Sequence, residues 1–197
     1  GSPENESPLF KGFWPFAKAE PLSPAKLQNL VAQYDGGIAY IDEIIDQMLQ
    51  ALKDAGLLEK TIVIITADHG EEFYDHEGWG HGKSLFIETT HVPFILYGPA
   101  FLPSGRQIES AVSHIDLMPT LLELAGIKPP DFLEGRSLLP LMSTNVAETL
   151  ASRPVYIEVI HENSYARGVV DNNLKLIQVR VHDKEKWLLY DHSVDPR

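Results

Sequence analysis

An acid, an imidazole and a glycine stand together at Asp68, His69 and Gly70, directly after the apolar, β-branched run Ile62, Val63, Ile64, Ile65, Thr66. Carboxylate oxygen beside imidazole nitrogen is a donor pair suited to a hard or borderline divalent cation such as calcium, manganese or zinc. The same residue types at a strand end also serve as plain structural groups, so the pair alone leaves both roles open. Glu71, Glu72, Asp75, His76, Glu77, His81 and Lys83 follow within one loop. Such a density of ionisable groups is costly unless a cation or an anionic ligand balances it, which favours chemistry at this tip. Glu71, Glu72, Asp75 and Glu77 are themselves read as solvated loop acids.

Gly78, Gly80 and Gly82 alternate with Trp79, His81 and Lys83. Glycines at that spacing let the backbone approach a ligand closely. His81 and Lys83 then become charge-assisted donors to a tetrahedral oxyanion, or a source of the proton for a leaving group. With no ligand, the same glycines would merely shape a tight loop.

The elements that must position these residues are legible on either side. The run 62–66 reads as a strand buried on both faces, as in a parallel sheet, and ligands of open α/β sheets sit beyond the carboxyl ends of such strands. Upstream, Ile38, Ile41, Ile44, Ile45, Met48, Leu49 and Leu52 recur at three- and four-residue spacing, predicting an amphipathic helix from Pro24 to about Ala55 that ends at Gly56. Downstream, strands are expected at Phe94 to Tyr97 and Ile108 to Val112. A short helix is expected over Leu117 to Leu124, with Asp116 as its cap and Pro119 in its first turn. Beyond about Ser152 the pattern turns to four short strands, at Val155 to Ile160, Arg167 to Val170, Lys175 to Arg180 and Trp187 to Tyr190. Asp171-Asn172-Asn173 marks a hairpin turn. The fold class predicted is therefore α/β, part of a doubly wound, mainly parallel sheet with helices on both faces, followed by a small antiparallel four-stranded subdomain. Residues 1–33, which open on a Pro-rich stretch broken by Phe10, Phe13, Trp14 and Phe16, read as an irregular lid or linker; 34–151 as the α/β part; 152–197 as the antiparallel subdomain, cut short.

Composition narrows the partners. The 197 residues carry a formal net charge of -12, which argues against a nucleic-acid or anionic-membrane surface, because phosphate backbones need a basic footprint. An anionic substrate would need local positive charge, and a bound cation is the economical source. The absence of cysteine excludes disulfides, a thiol nucleophile and thiolate metal sites within these residues. No apolar run approaches the length of a membrane span. Gly1-Ser2 reads as the residue of a cleaved tag and Asn5-Glu6-Ser7 fits a glycosylation sequon. No compartment is indicated.

Taken in order, YDGGIAYIDEIIDQMLQAL, TIVIITADHGEEF, GHGKSLFIETTHVPFILYGP, SHIDLMPTLLELAG, LEGRSLLPLM and LLYDHSVDP resemble the C-terminal half of a sulfatase-family hydrolase of the alkaline-phosphatase-like superfamily. The resemblance implies that Asp68 and His69 are two ligands of a divalent metal ion, calcium in typical sulfatases. Many sulfatases have Asn where His69 stands, and an Asp-His pair also occurs in related phosphoesterases and phosphoethanolamine transferases that use zinc or manganese. Lys83 matches the family's sulfate-binding Lys approximately, which makes His81 an equal candidate for the oxyanion. His114 and Asp116 match a segment read as structural, and His91 a loop contact. The family's paired Asp ligands and its C/S-x-P-x-R motif, source of the formylglycine nucleophile, belong to an N-terminal half that these residues do not include. The expected function is accordingly a fragment of a metal-dependent sulfuric-ester hydrolase acting on a sulfate-ester substrate, inactive alone. A phosphoesterase or phosphoethanolamine-type transferase acting on a phosphate-ester, and a non-catalytic binding or assembly domain, are the alternatives. Separation from the N-terminal half would expose sheet edges that favour self-association.

Overall fold

The three- and four-residue apolar spacing produces one long helix, α1 (Pro24–Asp54), in the computed structural model, which describes residues 20–142, 153–161 and 164–194. Pro24 occupies the first turn, where a missing N–H costs no hydrogen bond. Gly56 ends the helix at φ +66, with its N–H on the Lys53 carbonyl (2.9 Å) and that of Leu57 on Leu52 (2.9 Å). None of the α1 side chains is buried; Ile38, Ile41 and Met48 stay 57%, 55% and 63% exposed. The helix starts inside the segment 1–33 expected to be irregular, leaving only residues 20–23 of the described part without regular structure. The sequon at Asn5 and the aromatics Phe10, Phe13, Trp14 and Phe16 lie outside the described residues, as does the boundary expected near residue 152.

The apolar run forms β1 (Val63–Thr66), which pairs with β4 (Phe94–Tyr97) from Val63↔Tyr97 to Thr66↔Phe94. The α/β class stands, while the direction of this pair differs from the parallel one expected. The chain between them holds a two-residue hairpin, β2 (Glu72–Phe73) with β3 (Trp79–Gly80), and the single turn α2 (Ile87–Thr90). No helix longer than one turn stands in that connection to carry a parallel crossover over the sheet, and the strand returns antiparallel. β1 is also half-buried along most of its length, not enclosed. Residues 108–112 are no strand: Ile108 and Val112 owe their apolar character to packing on Leu138, Leu141 and Met142, beside Phe94, Leu96 and Leu102. The expected short helix is α3 (Leu117–Leu124), and α4 (Leu139–Met142) supplies two residues of that core.

The four strands of the small sheet are β5 (Val155–His161), β6 (Ser164–Asp171), β7 (Leu174–Val181) and β8 (Lys184–Asp191), an antiparallel meander in chain order. Asn172 and His182 turn its last two hairpins, each at φ 52. One face of the sheet carries its core: Ala166, Ile177 and Val179 close over Leu85, flanked by Ile157, Val159, Leu188 and Tyr190. Alternation puts Lys175 on that same face, 2% exposed, with Nζ donating to Thr90 Oγ1 at 2.8 Å.

Burial holds the Lys175 ammonium down at about 8 against an ordinary 10.5, with the Glu88 charge pulling upward. Between those values the unfolded chain binds the proton and the folded chain does not, so folding stability rises with pH across that window and has no slope from Lys175 below it. Tyr190, whose phenol burial pushes up from 10.0, opposes this only at higher pH. Urea unfolding should therefore show a gain on the order of 1–2 kcal/mol between about pH 7 and about pH 9.5, and Lys175→Met should abolish that gain.

Candidate active site

The tip beyond β1 is fixed from below by α2. Gly70 donates its N–H to the Thr89 carbonyl at 3.0 Å, and a Cβ on Gly70 would stand 2.0 Å from the Glu88 carbonyl oxygen. Only glycine fits there, so the position of Asp68 and His69 follows from a backbone-to-backbone contact. From the other side His114 Nε2 lies 3.1 Å from Thr66 Oγ1.

Asp68 Oδ1 accepts the His69 N–H at 3.0 Å, and Asp68 Oδ2 lies 3.6 Å from His69 Nε2. His69 Nδ1 is 2.9 Å from the Gly70 carbonyl, which can only accept, so Nδ1 carries a proton and in the neutral ring Nε2 is the lone-pair nitrogen. Two donors about 2.1–2.4 Å from one ion are separated by this distance when they subtend roughly 100–120°. The Asp68 side chain is 89% exposed and that of His69 41%, so the pair faces outward as a metal or substrate site requires. Donor chemistry, tautomer and separation therefore fit a divalent cation.

His81 joins this pair. Its ring stacks on His69 with centroids 3.7 Å apart, and its Nδ1 lies 2.9 Å from Glu71 Oε2. The β2–β3 register explains the second contact: Glu72 faces Gly80, which makes Glu71 and His81 the next cross-strand neighbours. His69, Glu71 and His81 thereby offer one ligating atom each within 4.8 Å of one another. Lys83 stands two residues beyond His81, half-buried, after Gly80 and Gly82 have turned the chain at φ +81 and +76.

The reading of Glu71 and Glu72 as solvated acids is corrected. Glu72 is 3% exposed; its Oε1 accepts the N–H groups of His76 (3.1 Å) and Gly78 (3.0 Å), and its Oε2 accepts the Ser84 hydroxyl (3.2 Å). Burial raises its pKa, while those donors and His76 pull it down. The available signal was Gly78, whose Cβ would stand 2.7 Å from Glu72 Oε1. Asp75 and Glu77 are exposed. The Trp79 indole donates to the Glu20 carbonyl at 3.4 Å, tying the stretch before α1 to this loop.

Asp116 is structural, as expected: it stands at the N-cap position of α3, but its carboxylate caps the preceding turn at His114 to Asp116 instead of α3 itself. It is 1% exposed, and its carboxylate turns back to accept the Ser113 N–H (3.1 Å), the Arg136 N–H (2.8 Å) and the Arg153 guanidinium (2.6 Å). His91 is exposed on the loop leading to β4.

Known proteins match the chain in two overlapping stretches and over most of its length. Residues 4–127 match the Sulfatase family, and residues 75–197 match the C-terminal region of N-sulphoglucosamine sulphohydrolase. Arylsulfatase K of Xenopus laevis is 32% identical over 184 residues, covering 89% of this chain and 34% of that protein. N-acetylglucosamine-6-O-sulfatase of Bacteroides thetaiotaomicron is 28% identical over 186 residues, covering 91% and 33%. The phosphonate monoester hydrolase of Silicibacter pomeroyi superposes with a TM-score of 0.77 at 27% identity, covering 88% of this chain and 37% of that one. The chain spans about a third of the length of the two curated relatives.

The loop geometry has a direct test at Glu72. Glu72→Ala strands the buried N–H of Gly78 and the half-buried N–H of His76, and should cost about 2–4 kcal/mol in urea unfolding. Glu72→Gln keeps Oε1 as acceptor and should cost less than half as much, since the Ser84 hydroxyl can reverse its role. A loss under about 0.5 kcal/mol for Glu72→Ala would show that the loop is not organised around this carboxylate.

Proposed function

The chain belongs to the sulfatase family, and on that premise we propose that it forms one wall of a metal-dependent sulfuric-ester hydrolase site. The observation that carries the reading is the outward-facing pair of Asp68 Oδ2 and His69 Nε2, 3.6 Å apart, with the proton of His69 committed to Nδ1. Asp68 and His69 would hold a divalent cation, calcium in this reading, with zinc or manganese as the other metals an imidazole donor accommodates. Bound there, the ion supplies positive charge against the oxygens of the ester.

The other groups of this wall bind and orient. With a chain charge of -12, an anionic ester is attracted only where positive charge is local, which is where His81 and Lys83 stand. Lys83 brings a fixed ammonium to the oxyanion. His81, held at Nδ1 by Glu71, turns Nε2 to the substrate and, when protonated, donates there to the oxyanion or to the departing oxygen. No C/S-x-P-x-R motif occurs in these residues. The formylglycine nucleophile and the remaining metal ligands are accordingly assigned to the N-terminal half of the enzyme, and this chain alone is expected to be inactive.

A second reading, phosphate- or phosphonate-ester hydrolysis on the same scaffold, is supported by the close superposition of a phosphonate monoester hydrolase. The complete enzyme decides between the two when offered an aryl sulfate, an aryl phosphate and a phosphonate monoester under the same conditions. Preference for the sulfate is expected, and preference for either phosphorus ester would replace the first reading by the second. Asp68→Ala and His69→Ala should each lose bound metal by elemental analysis together with activity, and His81→Ala should lower kcat about 10²–10³-fold with metal retained. Full metal content and activity in Asp68→Ala would sink both readings.

A further inference from the structure

α2 has the strand tip on one side and the four-stranded sheet on the other. Toward the tip, the Thr89 carbonyl receives the Gly70 N–H at 3.0 Å and the Glu88 carbonyl blocks any Cβ on Gly70. Toward the sheet, Lys175 reaches from β7 and donates to Thr90 Oγ1 at 2.8 Å, while the Thr90 hydroxyl donates on to the Phe86 carbonyl at 2.9 Å. Lys175 is 2% exposed, and the Glu88 carboxylate, near enough to oppose the loss of its charge, lies 3.6 Å from His76 Nδ1. His76 in turn stacks on Phe86 at 3.6 Å, and Phe86 meets the edge of Tyr190 at 5.7 Å.

A buried ammonium is a costly way to attach a sheet. Leu85, seated among Ala166, Ile177 and Val179, already supplies an apolar anchor one residue before Phe86. An unbranched apolar side chain in the slot of Lys175 would avoid the desolvation cost and hold the sheet at least as firmly. An apolar chain could not, however, engage the Thr90 hydroxyl and so select one placement of the last residue of α2.

The geometry points to Lys175 as a positioning residue, which fixes α2 through Thr90 and, through α2, the backbone of Gly70 on which Asp68 and His69 are mounted. Its consequence for hydrolysis rests on the metal site proposed above, whereas the attachment itself does not depend on that reading.

The test is amide hydrogen exchange on the full 197-residue chain, comparing Lys175→Met, Thr90→Val, the double variant and Thr90→Ser. Lys175→Met should speed exchange at Gly70 and at the α2-bonded amide of His91 by about tenfold, with the β6–β7 ladder amides of Gly168 and Ile177 unchanged. Thr90→Val and the double variant should match it, and Thr90→Ser, which keeps the hydroxyl, should behave as the parent chain. Unchanged protection of Gly70, equal acceleration of the ladder amides, or additive effects in the double variant would each overturn the assignment. If Lys175→Met does not fold, the double variant decides, because it also removes the Thr90 hydroxyl that the single substitution leaves without its donor. Should the complete enzyme prove inert toward sulfate esters, a positive exchange result still stands. Should Gly70 stay protected, the assignment fails whatever the enzyme hydrolyses.

Discussion

The contact between Gly70 and the backbone of Glu88 and Thr89 is the constraint on which the site depends. A strand can deliver an acid and an imidazole to its carboxyl end, but their direction is set by the path the backbone takes on leaving it. Here the chain must pass so close to α2 that a Cβ on Gly70 would lie 2.0 Å from a carbonyl oxygen. That contact leaves Asp68 and His69 outward and commits the Gly70 carbonyl to His69 Nδ1. In the proposed metal reading, that same turn would orient the His69 ring, in the way that a second hydrogen bond commonly orients a ligating histidine.

The acid-rich loop shows how one residue type is used in three ways within a few positions. Glu72 is buried and builds the loop by collecting two N–H groups and a hydroxyl. Glu71 pairs with Nδ1 of His81, its neighbour across the hairpin. Asp75 and Glu77 remain at the surface. Composition and charge density therefore located the loop correctly and were silent on which carboxylate does what, because burial of an acid depends on donors that only the closed loop assembles.

Periodicity carried further in the regular elements. The apolar stripe of α1, the β-branched run of β1 and the four alternating segments of the small sheet each determine local structure through their own spacing, and all were legible. Strand direction was not, since the apolar run of β1 says how deeply it wants to be buried and nothing about its partner. Ile108 and Val112 show the converse: apolar residues at strand-like spacing can serve a core without joining a ladder. The Glu71–His81 pair and the Lys175–Thr90 bond lie 10 and 85 residues apart in sequence, beyond the reach of any local pattern. Asp68, His69 and His81 were singled out from residue type and spacing, whereas Glu71, which pairs with His81, was read as a loop acid.

The chain belongs to the sulfatase family and spans about a third of the length of two curated relatives, and in the proposed reading it is one side of a larger site. Its own contribution reduces to one claim, that the pair Asp68 and His69 ligates the metal while His81 stays on the substrate side. Anomalous diffraction from crystals of the complete enzyme, recorded at the absorption edge of the bound metal, locates that ion without reference to activity. A single peak within about 2.0–2.6 Å of both Asp68 Oδ2 and His69 Nε2 is expected. A peak held by His69, Glu71 and His81, with Asp68 outside its coordination sphere, would contradict it.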